Sequence, residues 1–131
     1  MKIYQGIDIV EITRFRKMCD ENSMFIQDIF TAKEIDYCES RKDSYMHFAG
    51  RFAAKEAGLK ALGMGMSGAG IDNAFKEIET LPTASGRPEL SFSGWTGKIC
   101  RKKQINQFTV SISHSANYAV ATVILSGPDT V

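Results

Sequence analysis

Residues 51–63, RFAAKEAGLKALG, constrain this chain more than any other stretch. At about 100° per residue, Phe48, Phe52, Leu59 and Leu62 fall along one stripe of a helix, and Ala49 and Ala53 widen it. Such a helix has to lie against a core. Glu56 projects inside the same arc, one turn from Phe52 and beside Ala49. A carboxylate there must be neutralised, paired or bound to a cation. Asp8 repeats the oddity in GIDIV, enclosed by Ile7, Ile9 and Val10. One such residue could simply cap the next helix. Two, on separate elements that both feed the core, fit a divalent cation better, and oxygen ligands suit Mg²⁺, which takes one or two carboxylates and completes its shell with water and phosphate. The competing account of Glu56 is an ion pair with Lys60, one turn on.

Around that helix the pattern predicts an α+β domain with helices first and antiparallel strands after. KIYQGIDIV reads as an opening strand, and EITRFRKMCDEN as an amphipathic helix with Ile12, Phe15 and Cys19 inward and Arg14 and Lys17 together on another face. Thr31 and Glu34 have capping-box spacing at the start of the next helix, with Phe30 and Ile35 placed as its staple. The long helix should stop at Gly63. AFKEIET and ELSFS alternate around the turn LPTASGRP, which predicts a hairpin. GWTGKICRKKQ follows as a short basic helix. QFTVSIS is a one-faced strand, and NYAVATVIL is apolar enough to be central. Nothing marks a linker, so residues 1–131 read as one domain.

The net charge of +1 does not suggest a broad nucleic-acid footprint. No apolar run is long enough for a bilayer, and the N-terminus lacks the pattern of a signal peptide. Three widely spaced cysteines suit reduced thiols, packed as small core residues in a cytoplasmic protein. Arg51 and Lys55 repel each other across one turn, a spacing an anionic ligand would relieve. Lys55 reads best as part of a solvated basic face, whereas the planar fork of Arg51 suits phosphate. His114 closes the strand TVSIS, and His47, the second histidine, stands just before the Glu56 helix. SHS is no nucleophile elbow, and GMGMSGAG lacks the Lys-Ser/Thr end of a phosphate loop. Two carboxylates in low dielectric, a group of cations and a histidine point to metal-assisted phosphoryl chemistry.

GIDIVEITRF, IFTAKEIDYC, FAGRFAAKEAGLKALG, SGRPEL and VSISHSANYAVATVIL occur in that order along nearly the whole chain. Together they closely resemble the holo-acyl-carrier-protein synthases, the small trimeric group of 4′-phosphopantetheinyl transferases. The resemblance implies a 4′-phosphopantetheinyl transferase-like fold, an antiparallel sheet packed against helices, in a homotrimer with sites at subunit boundaries. It implies transfer of phosphopantetheine from coenzyme A to a serine of apo acyl carrier protein, with release of adenosine 3′,5′-bisphosphate. By position, Asp8 and Glu56 match magnesium ligands; Arg51, Lys60 and His114 match contacts to the phosphates of coenzyme A; Gly86, Arg87 and Pro88 match the turn near its adenosine end. Arg14 matches a docking position for the acidic carrier protein, which Lys17 could reinforce. Lys60, with Arg51, would stabilise charge on the leaving group, and the base would be Glu56 or a metal-bound water oriented by Asp8. Gly58 replaces a bulkier residue common in the family, and Arg87 stands where lysine is common. Two other readings have distinct signatures: a silent carrier-binding module would ignore Mg²⁺, and a metal phosphohydrolase would need no acceptor serine.

Overall fold

The computed structural model describes residues 1–64 and 71–129, the side chains of residues 71–73 excepted. Strand β1 (Lys2–Glu11) runs into helix α1 (Ile12–Glu21), and the short helices α2 (Phe25–Ile29) and α3 (Ala32–Glu39) lead to the long α4 (Ser44–Ala61). Helix α5 (Ile71–Glu77) gives way to strands β2 (Ile78–Pro82) and β3 (Pro88–Phe92), followed by α6 (Gly94–Lys102) and strands β4 (Gln107–His114) and β5 (Tyr118–Gly127). Most of the glycine-rich stretch judged unfit as a phosphate loop, from 65 to 70, lies outside the described residues.

The antiparallel structure divides into two sheets. β5 is the central strand of three, in the order β1-β5-β4, and β2 pairs with β3 alone. Gly86 has φ +87° at the tip of the β2–β3 hairpin, a conformation that favours glycine. The capping box forms as its spacing predicts, with Thr31 accepting from the Glu34 amide and Glu34 accepting from the Thr31 amide. At its other end α4 closes with Gly63 at φ +77°; the amides of Met64 and Gly63 return to the carbonyls of Leu59 and Lys60.

Three expectations need correction. The alternation in AFKEIET predicted a strand, yet its first half is the end of α5, and β2 begins only at Ile78. Ala74 and Phe75 are both buried, and two adjacent inward residues suit a helix rather than a half-buried strand. The second correction concerns α4, which is buried on most of its circumference and not along one stripe. It lies on β1 and β5 through small residues, while Phe48 and Phe52 join Phe15, Phe25, Phe30 and Phe75 in an aromatic core on its other side.

Lys55 belongs to this interior and is no part of a solvated face. It is fully buried, and its ammonium donates to Glu34 Oε1, Phe75 O and Ile78 O, each at 2.7 Å, using all three protons. Burial pushes its pKa down and Glu34 pulls it back up. Glu34 also accepts from the Thr80 amide at 3.0 Å, so one buried ion pair ties α3, α4, α5 and β2 together. Gly58, where a bulkier residue is common, packs under β2 and β3: a Cβ there would meet Ile78 Cγ2 at 3.2 Å and Phe92 Cζ at 3.4 Å.

β1 and α4 come close together at Gly6. A Cβ at this position would overlap the Ala57 carbonyl and stand 2.8 Å from the Ala61 amide nitrogen. Gly6→Ala is therefore expected to lower stability by about 1–3 kcal/mol or more, because backbone rather than a flexible side chain must move. A urea titration measures it. An unchanged midpoint would show that the strand and helix do not need this contact.

Candidate functional site

Gly6 fixes the distance between the two anomalous carboxylates. Residues 4, 6, 8 and 10 of β1 face α4, so Asp8 points at the helix that carries Glu56. Ile7 and Ile9, which flank it in sequence, face the other way and are 57% and 63% exposed. The low dielectric around Asp8 thus comes from α4 and not from its neighbours in the chain. Asp8 does not cap α1; Glu11 occupies that position without a side-chain bond.

Asp8 and Glu56 lie within hydrogen-bonding reach of each other. Lys60 does not pair with Glu56 but crosses to β1, where its ammonium donates to Asp8 Oδ1 at 3.0 Å and to the Ile7 carbonyl at 3.1 Å. Asp8 Oδ2 is buried, and no amide, hydroxyl or ammonium donates to it. Burial, then the adjoining Asp8 carboxyl, lift Glu56 to about 8, against a small opposing pull from Lys60. The pair therefore retains one unsatisfied oxygen and one carboxyl that is costly to ionise. A hard divalent cation answers both, with water and phosphate oxygens filling the rest of its shell. Among the described residues no three His, Cys, Asp or Glu side chains gather as a complete metal cage, so a cation here would rely on such outside oxygens.

The shift has a direct consequence for metal-free protein. Between pH 4.5 and about 8 the folded state holds a proton on Glu56 that the unfolded chain has released. Stability from this group is thus complete below pH 4.5 and is lost as pH rises toward 8. Thermal unfolding without metal should show this decline, Mg²⁺ should reverse it near pH 8, and Glu56→Gln should remove it. A wild-type profile identical to that of the variant would contradict the environment described for Glu56.

Glu56 also borders a hollow of about 550 Å³ whose wall includes Phe15, Phe25, Phe52, Phe75 and Met18, with Arg14 and Glu11 among its polar lining. Arg14 is exposed and reaches this hollow, whereas Lys17, one turn on, pairs with Glu21 at 3.9 Å in solvent. Gly86 lies at the hairpin tip, and Arg87 and Pro88 line a different hollow of about 280 Å³ with Phe108, Thr109 and Val110. Arg51 is 5% exposed, stacks over Tyr37 at 4.3 Å and has an Nε without a partner. His114 packs against His47, which the sequence marked only by its scarcity, with ring centroids 5.6 Å apart. One chain thus joins Asp8, Glu56 and Lys60, groups Arg51 with His114, and leaves the hairpin residues in a third place. The cysteines are spectators: Cys38 and Cys100 are buried, Cys19 is half-buried, and all three are free thiols.

Paired carboxylates with a lysine, beside a hollow and a buried arginine, define a class of site suited to moving phosphoryl groups. The sequence pattern of the 4′-phosphopantetheinyl transferase superfamily matches residues 5–123. A holo-[acyl-carrier-protein] synthase from Geotalea daltonii is 40% identical over 121 residues, 92% of this chain and 94% of its own. That of Syntrophus aciditrophicus is 44% identical over 123 residues, 93% and 94% of the two chains. Among solved structures, the ACPS–CoA complex of Chronobacterium ammoniagenes superposes with a TM-score of 0.86 at 28% identity, covering 98% of this chain and 100% of that one. The holo-(acyl-carrier-protein) synthase of Bacillus anthracis in complex with CoA (3′,5′-ADP) gives 0.76 at 35% identity, covering 95% and 96%. The chain belongs to the 4′-phosphopantetheinyl transferase superfamily and is an enzyme of its holo-[acyl-carrier-protein] synthase group.

Proposed function

We propose that this single domain, residues 1–131, transfers 4′-phosphopantetheine from coenzyme A to a serine of an apo acyl carrier protein, in a Mg²⁺-dependent reaction that releases adenosine 3′,5′-bisphosphate. The observation that carries the reading is the meeting of Asp8 and Glu56 around one unsatisfied buried oxygen. These two carboxylates would hold the ion. When bound, magnesium neutralises pyrophosphate oxygens and makes the phosphorus a better electrophile.

The chain's own groups do the rest. The serine Oγ forms a bond to the β-phosphorus, the one that carries pantetheine, as the bridging P–O bond breaks, and the electron pair of that bond leaves with the adenosine bisphosphate. Lys60, half-exposed beside Asp8, and Arg51, with a free buried Nε, supply positive charge to the departing group. The serine proton needs an acceptor within hydrogen-bond reach. Glu56, whose carboxylate borders the hollow, is the acceptor in this reading. Arg14, exposed at the mouth of the hollow, together with Lys17 receives the acidic carrier. The test is to incubate the protein with coenzyme A, Mg²⁺ and a panel of apo carriers and then weigh the carriers. A phosphopantetheine mass gain that vanishes without metal is expected; no gain on any carrier would reject the proposal.

The same reading includes a homotrimer. The outer face of the three-stranded sheet exposes Ile3, Ile7, Ile9, Tyr118 and Ile124, large apolar side chains that suit a subunit contact. In this reading the subunit boundary runs along this face, and the site draws on two chains as the family resemblance implies. Ile7→Lys, more than half exposed in one protomer, should leave the fold intact, yet sediment as monomer and lose transfer. A trimer that persists with full activity would place the interface elsewhere.

A further inference from the structure

His47 is a titratable group in a built cluster, and the reaction above does not use it. Tyr37, His47 and His114 stack in an edge-to-face row, with centroids 5.9 Å and 5.6 Å apart, where the start of α4 meets the end of β4. Arg51 covers the Tyr37 ring at 4.3 Å and Arg41 lies at 5.7 Å from the same ring. Gly50 keeps the elements close: a Cβ there would stand 2.9 Å from Ile112 Cγ2 and 3.5 Å from His114 Nε2. Asp43 is the carboxylate that faces these groups, and it is engaged in capping α4 through the Met46 amide. Burial first, then Arg51, hold both imidazoles below their usual range. A buried guanidinium with an unpartnered Nε, flanked by two imidazoles able to donate, suits an anion.

Which anion follows from distance and charge. His47 lies nine residues from Glu56 along α4, about 13 Å at the helical rise. A group bound here is therefore not the one bound at the carboxylate pair, and a single ligand serving both must carry two separate anionic centres. A phosphate monoester is the stronger partner, since a dianion can draw protons onto both imidazoles. We infer that His47 joins His114 and Arg51 in holding the 3′-phosphate at the adenosine end of the substrate, and so helps select the 3′-phosphorylated cofactor. This assignment rests on the function proposed above; what is new is the role of His47 and its dependence on protonation.

Binding alone tests it, independently of transfer. Calorimetry compares adenosine 3′,5′-bisphosphate with adenosine 5′-monophosphate on wild type, His47→Phe and His47→Gln at pH 6 and pH 8. Phenylalanine keeps the ring stack, and glutamine keeps a donor that does not titrate. Because the phosphate titrates near pH 6 itself, the quantity read is the wild-type-to-variant ratio at each pH. Wild type should favour the bisphosphate over His47→Phe by about tenfold at pH 6, and by clearly less at pH 8. Affinity for the monophosphate should not change, and glutamine should recover part of the preference without its pH dependence. Equal discrimination by all three proteins at both pH values would overturn the inference. It would leave the transferase reading standing if carriers still gain mass, whereas a protein that discriminates as expected but never modifies a carrier would sink that reading alone.

Discussion

Glu56→Gln is expected to lower kcat/KM for carrier modification on the order of a thousandfold, the rate equivalent of several kcal/mol of metal-assisted charge stabilisation. The amide keeps the shape of the side chain and removes both the anionic ligand and the proton acceptor. The same variant should be more stable than wild type near pH 8 without metal, because a neutral amide avoids ionising a carboxyl that burial and Asp8 hold near 8. Loss of activity together with a gain in stability separates a chemical role from misfolding. A fall of less than tenfold would show that Glu56 neither binds the ion nor takes the proton.

The largest structural effect is expected at Lys55. Lys55→Met leaves the Glu34 carboxyl in the interior with its partner gone, which costs about 3–5 kcal/mol, a third or more of the stability of an ordinary domain. Adding Glu34→Gln should recover only part of this. The carbonyls of Phe75 and Ile78 would still lack their donor, and the Thr80 amide would exchange a charged acceptor for a neutral one. Urea unfolding of the two single variants and the double variant gives the coupling. A near-neutral Lys55→Met would mean that this corner is not held by the pair.

Both residues lie in α4, and they show what a sequence can and cannot tell. Glu56 was legible because a carboxylate between alanine and phenylalanine breaks the helical pattern. Lys55 was equally visible, since on the same helical projection it falls between Phe48 and Leu62. It was misread because its spacing from Arg51 suggested a basic face, and its partner Glu34 sits 21 residues earlier, already accounted for as a capping residue. One side chain serving two purposes leaves no second mark in a sequence.

The central strand, the helix ends and the hairpin followed from alternation and glycine placement, which are local signals. The carboxylate pair needed two oddities to be connected across 48 positions, and that connection rests on Gly6 admitting the helix. Helix α5 was missed because alternation in four residues cannot be told from a helical turn when the next strand follows at once. The row Tyr37–His47–His114 was out of reach, since no pattern links the three.

The most direct test is a crystal of the protein grown with coenzyme A and manganese, read by anomalous scattering at the manganese edge. The account predicts one manganese between Asp8 and Glu56, at about 2.1 Å from an oxygen of each, with pyrophosphate oxygens completing the shell. Manganese bound elsewhere, while ordered coenzyme A leaves both carboxylates free, would contradict it.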